Sequence, residues 1–261
     1  MSRLTELFER KKERLLNVYC TAGFPEPDST RTVLRALQDN GADLIELGMP
    51  YSDPLADGPV IQASSARALA GGMTIGKLLA QLKDFREEIR VPVVLMGYLN
   101  PLLQYGFEKF CNEAAAVGVD GLIIPDIPMY EYEREYRAVV EGAGLNFIFL
   151  VTPETSDERV RRLDALSSGF LYAVSSSSIT GAGTEMAPVE AYLQRLKALG
   201  LRNPLLVGFG IRDKASFDAA CAHAEGAIIG SAYIQALEQG PDIETATRTF
   251  LTRVLGEQKT G

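Results

Sequence analysis

The chain has 261 residues, of which 46% are hydrophobic and 23% charged, and its formal net charge is −8. This composition is that of an ordinary soluble globular protein. The negative charge argues against broad binding to nucleic acid or an anionic membrane, and no apolar run reaches the roughly 20 residues that a membrane-spanning helix needs. The three cysteines lie far apart, so they predict neither a disulfide framework nor a zinc site and favour a cytoplasmic location.

The N-terminal segment SRLTELFERKKERLL predicts an amphipathic helix within residues 1–15, because its apolar residues recur at roughly helical spacing. Eight short runs that read as strands follow it. In chain order these are LLNVYCT, DLIELG, VPVVLMG, GLIIP, FIFLV, FLYAV, PLLVGFG and GAIIG. The stretches between them, such as TRTVLRALQDNGA and PVEAYLQRLKALG, predict amphipathic helices.

This alternation of strands and helices predicts an α/β fold with parallel strands, and eight units favour a single (β/α)₈ TIM barrel. The whole chain, 1–261, is expected to form one domain, with residues 257–261 as a frayed tail. The alternative is an open doubly wound sheet. Its usual GxGxxG fingerprint does not follow the first predicted strand, where the sequence reads TAGFPEPD.

The second predicted strand carries a glutamate in its apolar run. Because side chains alternate along a strand, Glu46 shares a face with Leu44 and Gly48 and is expected to point into the barrel mouth, where barrel enzymes have their active sites. The alternative is a structural carboxylate paired with a basic neighbour. Arg212 is the only basic residue near the end of a predicted strand. Buried without a partner, Glu46 would have a raised pKa and would suit a general acid that later serves as base.

Two aspartates follow in the loop PYSDPLADGP, whose prolines and glycine indicate a defined path across the barrel mouth. Asp53 precedes a proline, which is typical of a local turn. Asp57 has a similar local interpretation, or it caps the helix that begins at Pro59. The sequence pattern alone leaves the functional and the local interpretations open for both residues.

The loops after the last two predicted strands, GFGIRD and IGSAYI, stand where many barrels bind phosphate with backbone amides and a short extra helix. Gly208, Gly210 and Gly230 would let the backbone approach a ligand, and Ser231 would add a hydroxyl. Two such loops at the two expected positions favour a phosphorylated substrate.

The segment Ser175 to Glu185, SSSSITGAGTE, follows the sixth predicted strand and is either an ordinary loop or a lid that closes over substrate. His223 is the only histidine, and it lies near the end of a predicted helix on the opposite side of the barrel. Ser-His-Asp hydrolysis and histidine-based metal chemistry are therefore poorly supported.

The stretch IELGMPYSDPLADGP resembles the signature of the tryptophan synthase alpha chain family. Further matching segments are GYLNPLLQYG at 97–106, GLIIPDIP at 121–128, SITGAG at 178–183, GFGI at 208–211 and GSA at 230–232. The resemblance runs over nearly the whole chain. It implies a (β/α)₈ lyase of tryptophan biosynthesis that cleaves indole-3-glycerol phosphate to indole and glyceraldehyde 3-phosphate, with no metal or organic cofactor in this chain.

The resemblance also implies roles for individual residues. Glu46 is expected to protonate the indole carbon that bears the glycerol chain and then to help remove the hydroxyl proton, while Asp57 accepts a hydrogen bond from the indole N–H. Asp53 keeps a structural role. The other implied residues are the substrate-binding Tyr19, Tyr98, Leu99, Tyr172 and Thr180 and the phosphate-binding Gly181, Phe209, Gly210, Gly230 and Ser231.

The partner implied by the resemblance is a tryptophan synthase beta chain that uses pyridoxal phosphate, in an α₂β₂ heterotetramer. One departure from the family is Ser176, which stands in the predicted lid where well-known bacterial members carry an arginine. Two other functions stay open at this point. One is a stand-alone indole-releasing lyase, and the other is a non-catalytic barrel that binds and regulates a beta chain.

Overall fold

The computed structural model describes residues 2–174, 186–208 and 210–256. Within them, nine parallel strand segments form one sheet. The segments are β1 (Leu15–Thr21), β2 (Leu44–Gly48), β3 (Val93–Met96), β4 (Gly121–Ile123), β5 (Asn146–Ile148), β6 (Leu150–Val151), β7 (Leu171–Val174), β8 (Leu205–Gly208) and β9 (Gly226–Ile229). Their order in the sheet is β5-β4-β3-β2-β1-β9-β8-β7-β6.

The sheet closes on itself because its two edge segments belong to one stretch of chain. Only Phe149 separates β5 from β6; β5 pairs with β4, and β6 pairs with β7. The nine segments are therefore eight barrel strands, one of them interrupted at Phe149. The predicted (β/α)₈ barrel is confirmed, and the open doubly wound sheet is excluded.

One helix precedes the first strand, and the others follow the strands around the outside of the barrel. They are α1 (Arg3–Arg10), α2 (Thr30–Asp39), α3 (Pro59–Ala70), α4 (Ile75–Gln81), α5 (Leu99–Tyr105), α6 (Phe107–Val117), α7 (Met129–Glu131), α8 (Arg137–Gly142), α9 (Asp157–Leu166), α10 (Met186–Ala198), α11 (Lys214–Cys221), α12 (Ser231–Gln239) and α13 (Ile243–Leu255). A 3₁₀ turn at Phe85–Glu87 and a π-helical turn at Tyr132–Tyr136 complete the helical structure of the described residues. None of the helices in this part of the chain is long and apolar enough to cross a membrane.

Side-chain caps define where several of these helices begin. The side chains of Ser2, Thr74, Ser156, Asp213 and Asp242 each accept a hydrogen bond from a backbone N–H in the first turn of the helix that follows. Each cap satisfies an N–H group that has no partner within the helix and stabilises the helix by about 1 kcal/mol. The helix starts are therefore set by local sequence.

The strands present alternate side chains to two cores, one between the strands and the helices and one inside the barrel. At the N-terminal end of the strands the inner core is apolar and includes residues of α1. Its members are Leu4, Leu7, Phe8, Leu15, Leu44, Val94, Ile123, Ile148, Phe170, Leu206 and Ile228. The helix α1 thus closes this end of the barrel, and each of its three buried side chains contributes about 1.5 to 3 kcal/mol.

The helix α1 is shorter than the predicted helix, because it ends at Arg10. The backbone is extended at Lys11 and has a positive φ of 56° at Arg14. The charged segment between them offers no apolar side chain to the core, whereas Leu15 begins β1 and is fully buried. Burial of Leu15 in the barrel overrides the helical spacing on which the prediction rested.

An ion-pair network around a buried carboxylate also lies at the N-terminal end of the barrel. The carboxylate of Asp120, whose side chain is 3% exposed, accepts hydrogen bonds from Arg3, from Arg86 and from the backbone N–H of Val93. Burial lowers the pKa of Arg86 to about 10, against the opposing effect of Asp120. This network joins α1, the 3₁₀ turn and two strands at the end away from Glu46.

Candidate active site

Glu46 lies inside the barrel, as the alternation of side chains along the second strand predicts. It is 1% exposed and stands beside Tyr19 of β1 and Val94 of β3 in the sheet register. Burial raises the pKa of its carboxyl to about 8, the charge of Asp57 adds to this shift, and a hydrogen bond from Asn17 opposes it. Glu46 therefore carries a proton at neutral pH.

The partner of Glu46 is an amide and not a basic residue. The Nδ2 atom of Asn17 donates a hydrogen bond to Oε2 of Glu46 at 3.1 Å, and both side chains are buried. Of the ion pairs formed in the described part of the chain, none includes Glu46. A structural salt bridge does not account for this carboxyl.

Asp57 lies between β2 and α3 and is partly buried. Burial raises the pKa of its carboxyl to about 6, and the hydroxyl of Tyr98 opposes the shift. Asp57 does not cap α3, because Gly58 is the N-cap residue and no side chain caps that helix. Its backbone is held instead by Gln62 of α3, whose Nε2 atom donates to the Asp57 carbonyl oxygen at 2.8 Å.

Asp53 has a different environment, although it belongs to the same loop. Its side chain is exposed and accepts a hydrogen bond from the hydroxyl of the adjacent Ser52. This contact fits the local turn interpretation. The structure thus separates the two aspartates, which the sequence pattern alone does not.

Tyr98 anchors the loop that carries Asp57. Its hydroxyl accepts a hydrogen bond from the backbone N–H of Ala56 at 3.0 Å, and its ring lies 5.3 Å from that of Tyr51. Asn100 of α5 donates to the hydroxyl of Tyr51 at 3.2 Å. Residues after β3 therefore fix the path of the loop after β2, and with it the position of Asp57.

Two tyrosines each lie over a glycine that ends the strand next to their own, Tyr19 of β1 over β2 and Tyr172 of β7 over β8. A Cβ atom at Gly48 would be 2.0 Å from the hydroxyl oxygen of Tyr19, and a Cβ atom at Gly208 would be 2.8 Å from the ring of Tyr172. Burial raises the pKa values of both phenols well above their ordinary value, and the charge of Glu46 adds to each shift. Gly208 therefore makes room for a tyrosine inside the barrel.

The predicted phosphate-binding loops follow two adjacent strands, since β8 pairs with β9. Gly210 has a positive φ of 43°, a conformation that favours glycine. The helix α12 begins at Ser231 with Gly230 as its N-cap and without a side-chain cap, so its first N–H groups point toward the loop. Such a helix start can bind an anion.

Three predicted site residues, Thr180, Gly181 and Phe209, lie outside the described residues. The predicted lid from Ser175 to Glu185, with Ser176, also lies outside them. The remaining predicted residues lie on the strands or in the loops and helix starts that directly follow them. Leu99 begins α5 there, and its backbone N–H donates to the carboxylate of Asp126 at 2.9 Å.

Sequence reasoning missed Asn17 and Gln62, the two amides that hold Glu46 and Asp57. A signal for Asn17 was present, because a polar residue stands in the apolar run LLNVYCT two positions before Tyr19, on the same face of the strand. Gln62 carries no comparable signal, since one glutamine in a surface helix is ordinary. Among the described residues, no group of three His, Cys, Asp or Glu side chains is arranged to hold a metal ion.

The tryptophan synthase alpha chain family model matches residues 5–259 of this chain. A tryptophan synthase alpha chain from Parabacteroides distasonis is 50% identical over 239 residues, which are 91% of this chain and 93% of that protein. One from Phocaeicola vulgatus is 48% identical over 253 residues, 96% of this chain and 98% of that protein.

Solved structures of tryptophan synthase chains are also similar to this chain. Tryptophan synthase subunit alpha from Legionella pneumophila str. Paris has a TM-score of 0.89 at 35% identity and covers 97% of both chains. A chain of the aminoacrylate-bound tryptophan synthase from M. tuberculosis has a TM-score of 0.85 at 33% identity, covering 97% of this chain and 100% of that chain. The chain therefore belongs to the tryptophan synthase alpha chain family and is a lyase that cleaves indole-3-glycerol phosphate in tryptophan biosynthesis.

Proposed function

We propose that Glu46 and Asp57 carry out the cleavage of indole-3-glycerol phosphate by general acid/base catalysis. The observation that carries this proposal is the burial of Glu46 inside the barrel near Asp57, which separates the pKa values of the two carboxyl groups. With a pKa of about 8, Glu46 keeps its proton at neutral pH, whereas Asp57, with a pKa of about 6, is ionised there. Two carboxyl groups with separated pKa values supply an acid and an anion in one site.

In the proposed reaction, Glu46 gives its proton to the indole ring carbon that bears the glycerol chain. Positive charge then develops at the ring nitrogen, and Asp57 stabilises it by accepting a hydrogen bond from the N–H group. The carboxylate left on Glu46 takes the proton of the hydroxyl on the adjacent chain carbon as the carbon–carbon bond breaks. This step releases indole and glyceraldehyde 3-phosphate and returns Glu46 to its protonated form.

The binding of the indole ring is assigned to side chains around this pair. Tyr19 and Tyr172 are the closest candidates, because the charge of Glu46 acts on both phenols. Tyr98 and Leu99 are assigned to the same pocket, with Tyr98 also holding the loop of Asp57. Thr180, which lies outside the described residues, remains a predicted substrate contact.

The phosphate group is assigned to the loops after β8 and β9. Gly210, Gly230 and Ser231 supply backbone N–H groups, a hydroxyl and the positive end of the α12 dipole. Gly181 and Phe209 remain predicted phosphate contacts outside the described residues. A phosphate at this position would place the glycerol chain across the barrel mouth, toward Glu46.

The reaction is proposed to need no metal or organic cofactor in this chain, since the acid, the base and the anion are side chains of the barrel. We place the enzyme in the cytoplasm, which agrees with its three unbridged cysteines. The partner would be a beta chain with pyridoxal phosphate in an α₂β₂ heterotetramer. Three large apolar side chains, Leu55, Leu103 and Tyr130, are 87%, 46% and 63% exposed and follow β2, β3 and β4 at the active-site end, where they support a protein interface.

The proposal is tested by the rate of indole release from indole-3-glycerol phosphate, measured with the purified chain alone and with a beta chain. Glu46→Gln should abolish release, and Asp57→Asn should lower it by about 10² to 10³-fold, the loss typical of a preorganised electrostatic group. Asp53→Asn is the matched control, because it removes a carboxylate from the same loop without touching the pair. Near-normal release by the Glu46 variant would overturn the assignment.

The partner arm of this experiment separates the remaining functions. Slow release that rises sharply with a beta chain supports the heterotetramer. Fast release by the chain alone would indicate a stand-alone lyase. No release in either arm would overturn the proposal.

A further inference from the structure

The side chain of Asn17 has one half of its amide paired and the other half unpaired. Its Nδ2 atom donates to Oε2 of Glu46 at 3.1 Å, while its Oδ1 atom is buried and has no hydrogen-bond partner among the described residues. Asn17 is fully buried. A buried acceptor without a partner is unfavourable and calls for an explanation.

The surroundings of Asn17 offer the amide little else to bind. It lies opposite Leu44 of β2 and Ile228 of β9 in the sheet register, and both of these belong to the apolar inner core that α1 closes. Glu46 lies on the other side of the amide, toward the barrel mouth. The polar chemistry of Asn17 is therefore directed at one group, the carboxyl of Glu46.

The two protonation states of Glu46 offer different hydrogen-bonding groups. A carboxylate only accepts hydrogen bonds, whereas a protonated carboxyl has an O–H group to donate. The Nδ2 group serves the first state, and the unpaired Oδ1 atom matches the second. Because the two halves of an amide have nearly the same shape, a half-turn about the Cβ–Cγ bond exchanges them within the same space.

We infer that Asn17 is a positioning residue that pairs with Glu46 in both protonation states, donating through Nδ2 to the carboxylate and accepting through Oδ1 from the protonated carboxyl. This inference rests on the proposed role of Glu46, which passes through both states in each turnover. Asn17 touches no reacting atom of the substrate. It keeps one orientation of the carboxyl while the proton leaves and returns.

The titratable groups around Glu46 come from three elements. Tyr19 and Cys20 lie on β1, Asp57 follows β2 and Tyr172 lies on β7. The charge of Asp57 raises the pKa of Glu46, whereas the hydrogen bond from Asn17 lowers it. Removal of the amide is therefore expected to raise the pKa of Glu46, because a hydrogen bond to the charged carboxylate is stronger than one from the neutral carboxyl and is the larger loss.

The test uses Asn17→Leu, which keeps the branched shape and removes both hydrogen-bonding atoms. We expect kcat to fall about tenfold or more, which is the effect of losing one hydrogen bond to a charged group, while KM changes little. We also expect the alkaline limb of the kcat/KM profile to move upward by about one pH unit. Thr247→Val is the matched control. Thr247 is fully buried and bonded to Tyr233, so its loss changes stability and leaves the pH profile unchanged.

A second measurement needs no variant at position 17. The side-chain amide signals of Asn17 in ¹H–¹⁵N NMR spectra of the native chain are expected to titrate with Glu46, and to stop titrating in Glu46→Gln. Chemical shifts of these signals that stay constant from pH 6 to 9 in the native chain would overturn the inference. This measurement tests the inference even if Asn17→Leu does not fold.

The kinetic outcomes separate the inference from the proposed function. An inactive Glu46→Gln together with an unchanged pH profile in Asn17→Leu overturns the role of Asn17 alone. An active Glu46→Gln overturns the proposed function and the inference with it. An inactive Glu46→Gln with a shifted profile and a reduced kcat in Asn17→Leu supports both.

Discussion

Replacement of Glu46 by glutamine should make the folded protein more stable at alkaline pH while it abolishes cleavage. The folded chain keeps the proton of Glu46 up to a pKa of about 8, whereas the unfolded chain releases it above the ordinary value of 4.5. Between these values the unfolded state binds fewer protons, so the free energy of unfolding falls as pH rises. At about 1.4 kcal/mol per pH unit, the penalty reaches about 5 kcal/mol near pH 8, and Glu46→Gln should remove it.

The assay is urea unfolding of the native chain and of Glu46→Gln at several pH values from 5 to 9, with Asp53→Asn as control. The difference in unfolding free energy between native chain and variant is expected to grow steadily from pH 5 to about pH 8 and then to level off. The control should follow the native chain, because Asp53 is exposed. Parallel curves for the native chain and Glu46→Gln across this range would refute the assignment of a buried, protonated carboxyl.

Three further changes test the electrostatics of the site, its packing and the opposite end of the barrel. The kcat/KM for cleavage should rise with pH through an apparent pKa of about 6 as Asp57 ionises, and should fall through an apparent pKa of about 8 as Glu46 loses its proton. A kcat/KM that stays constant from pH 5 to 9 would contradict this prediction. Gly48→Ala should reduce kcat/KM by about 10²-fold, because the new Cβ atom would displace Tyr19. Gly58→Ala is the control and should leave the steady-state kinetics unchanged, because a Cβ atom there meets nothing within 4 Å. Asp120→Ala should lower the free energy of unfolding in urea by about 3 to 5 kcal/mol, because it leaves the largely buried guanidinium of Arg86 without its carboxylate. A loss of cleavage activity by the folded variant would contradict a purely structural role for Asp120.

The barrel and the inward position of Glu46 were predictable because both follow from local periodicity. Alternation of strand and helix needs no knowledge of distant contacts, and period-two alternation within β2 is enough to direct Glu46 away from the helices. The helix starts are equally local, since capping side chains act within one turn. The end of α1 was not predictable from local sequence. Leu15 has helical spacing with the preceding residues, but it packs in the inner core of the barrel as the first residue of β1.

The separation of Asp57 from Asp53 and the two pKa values required the tertiary structure. Both aspartates have the same local turn chemistry, and only the contacts of the loop with Tyr98 and Gln62 distinguish them. Desolvation depends on how many groups surround a carboxyl, and most of those groups come from other strands.

The sequence by itself determined the fold, the end of the barrel that carries the chemistry and the presence of an acidic residue there, because each of these is encoded in spacing along one element. Only the tertiary structure decided which group holds that acid, since Asn17 and Glu46 are 29 residues apart and meet only when β1 and β2 pair. It also decided why Gly48 ends its strand, because the tyrosine that fills the space belongs to another strand. The proton on Glu46 at neutral pH is thus a property of the closed barrel, which removes water from a carboxyl that any single strand would leave exposed.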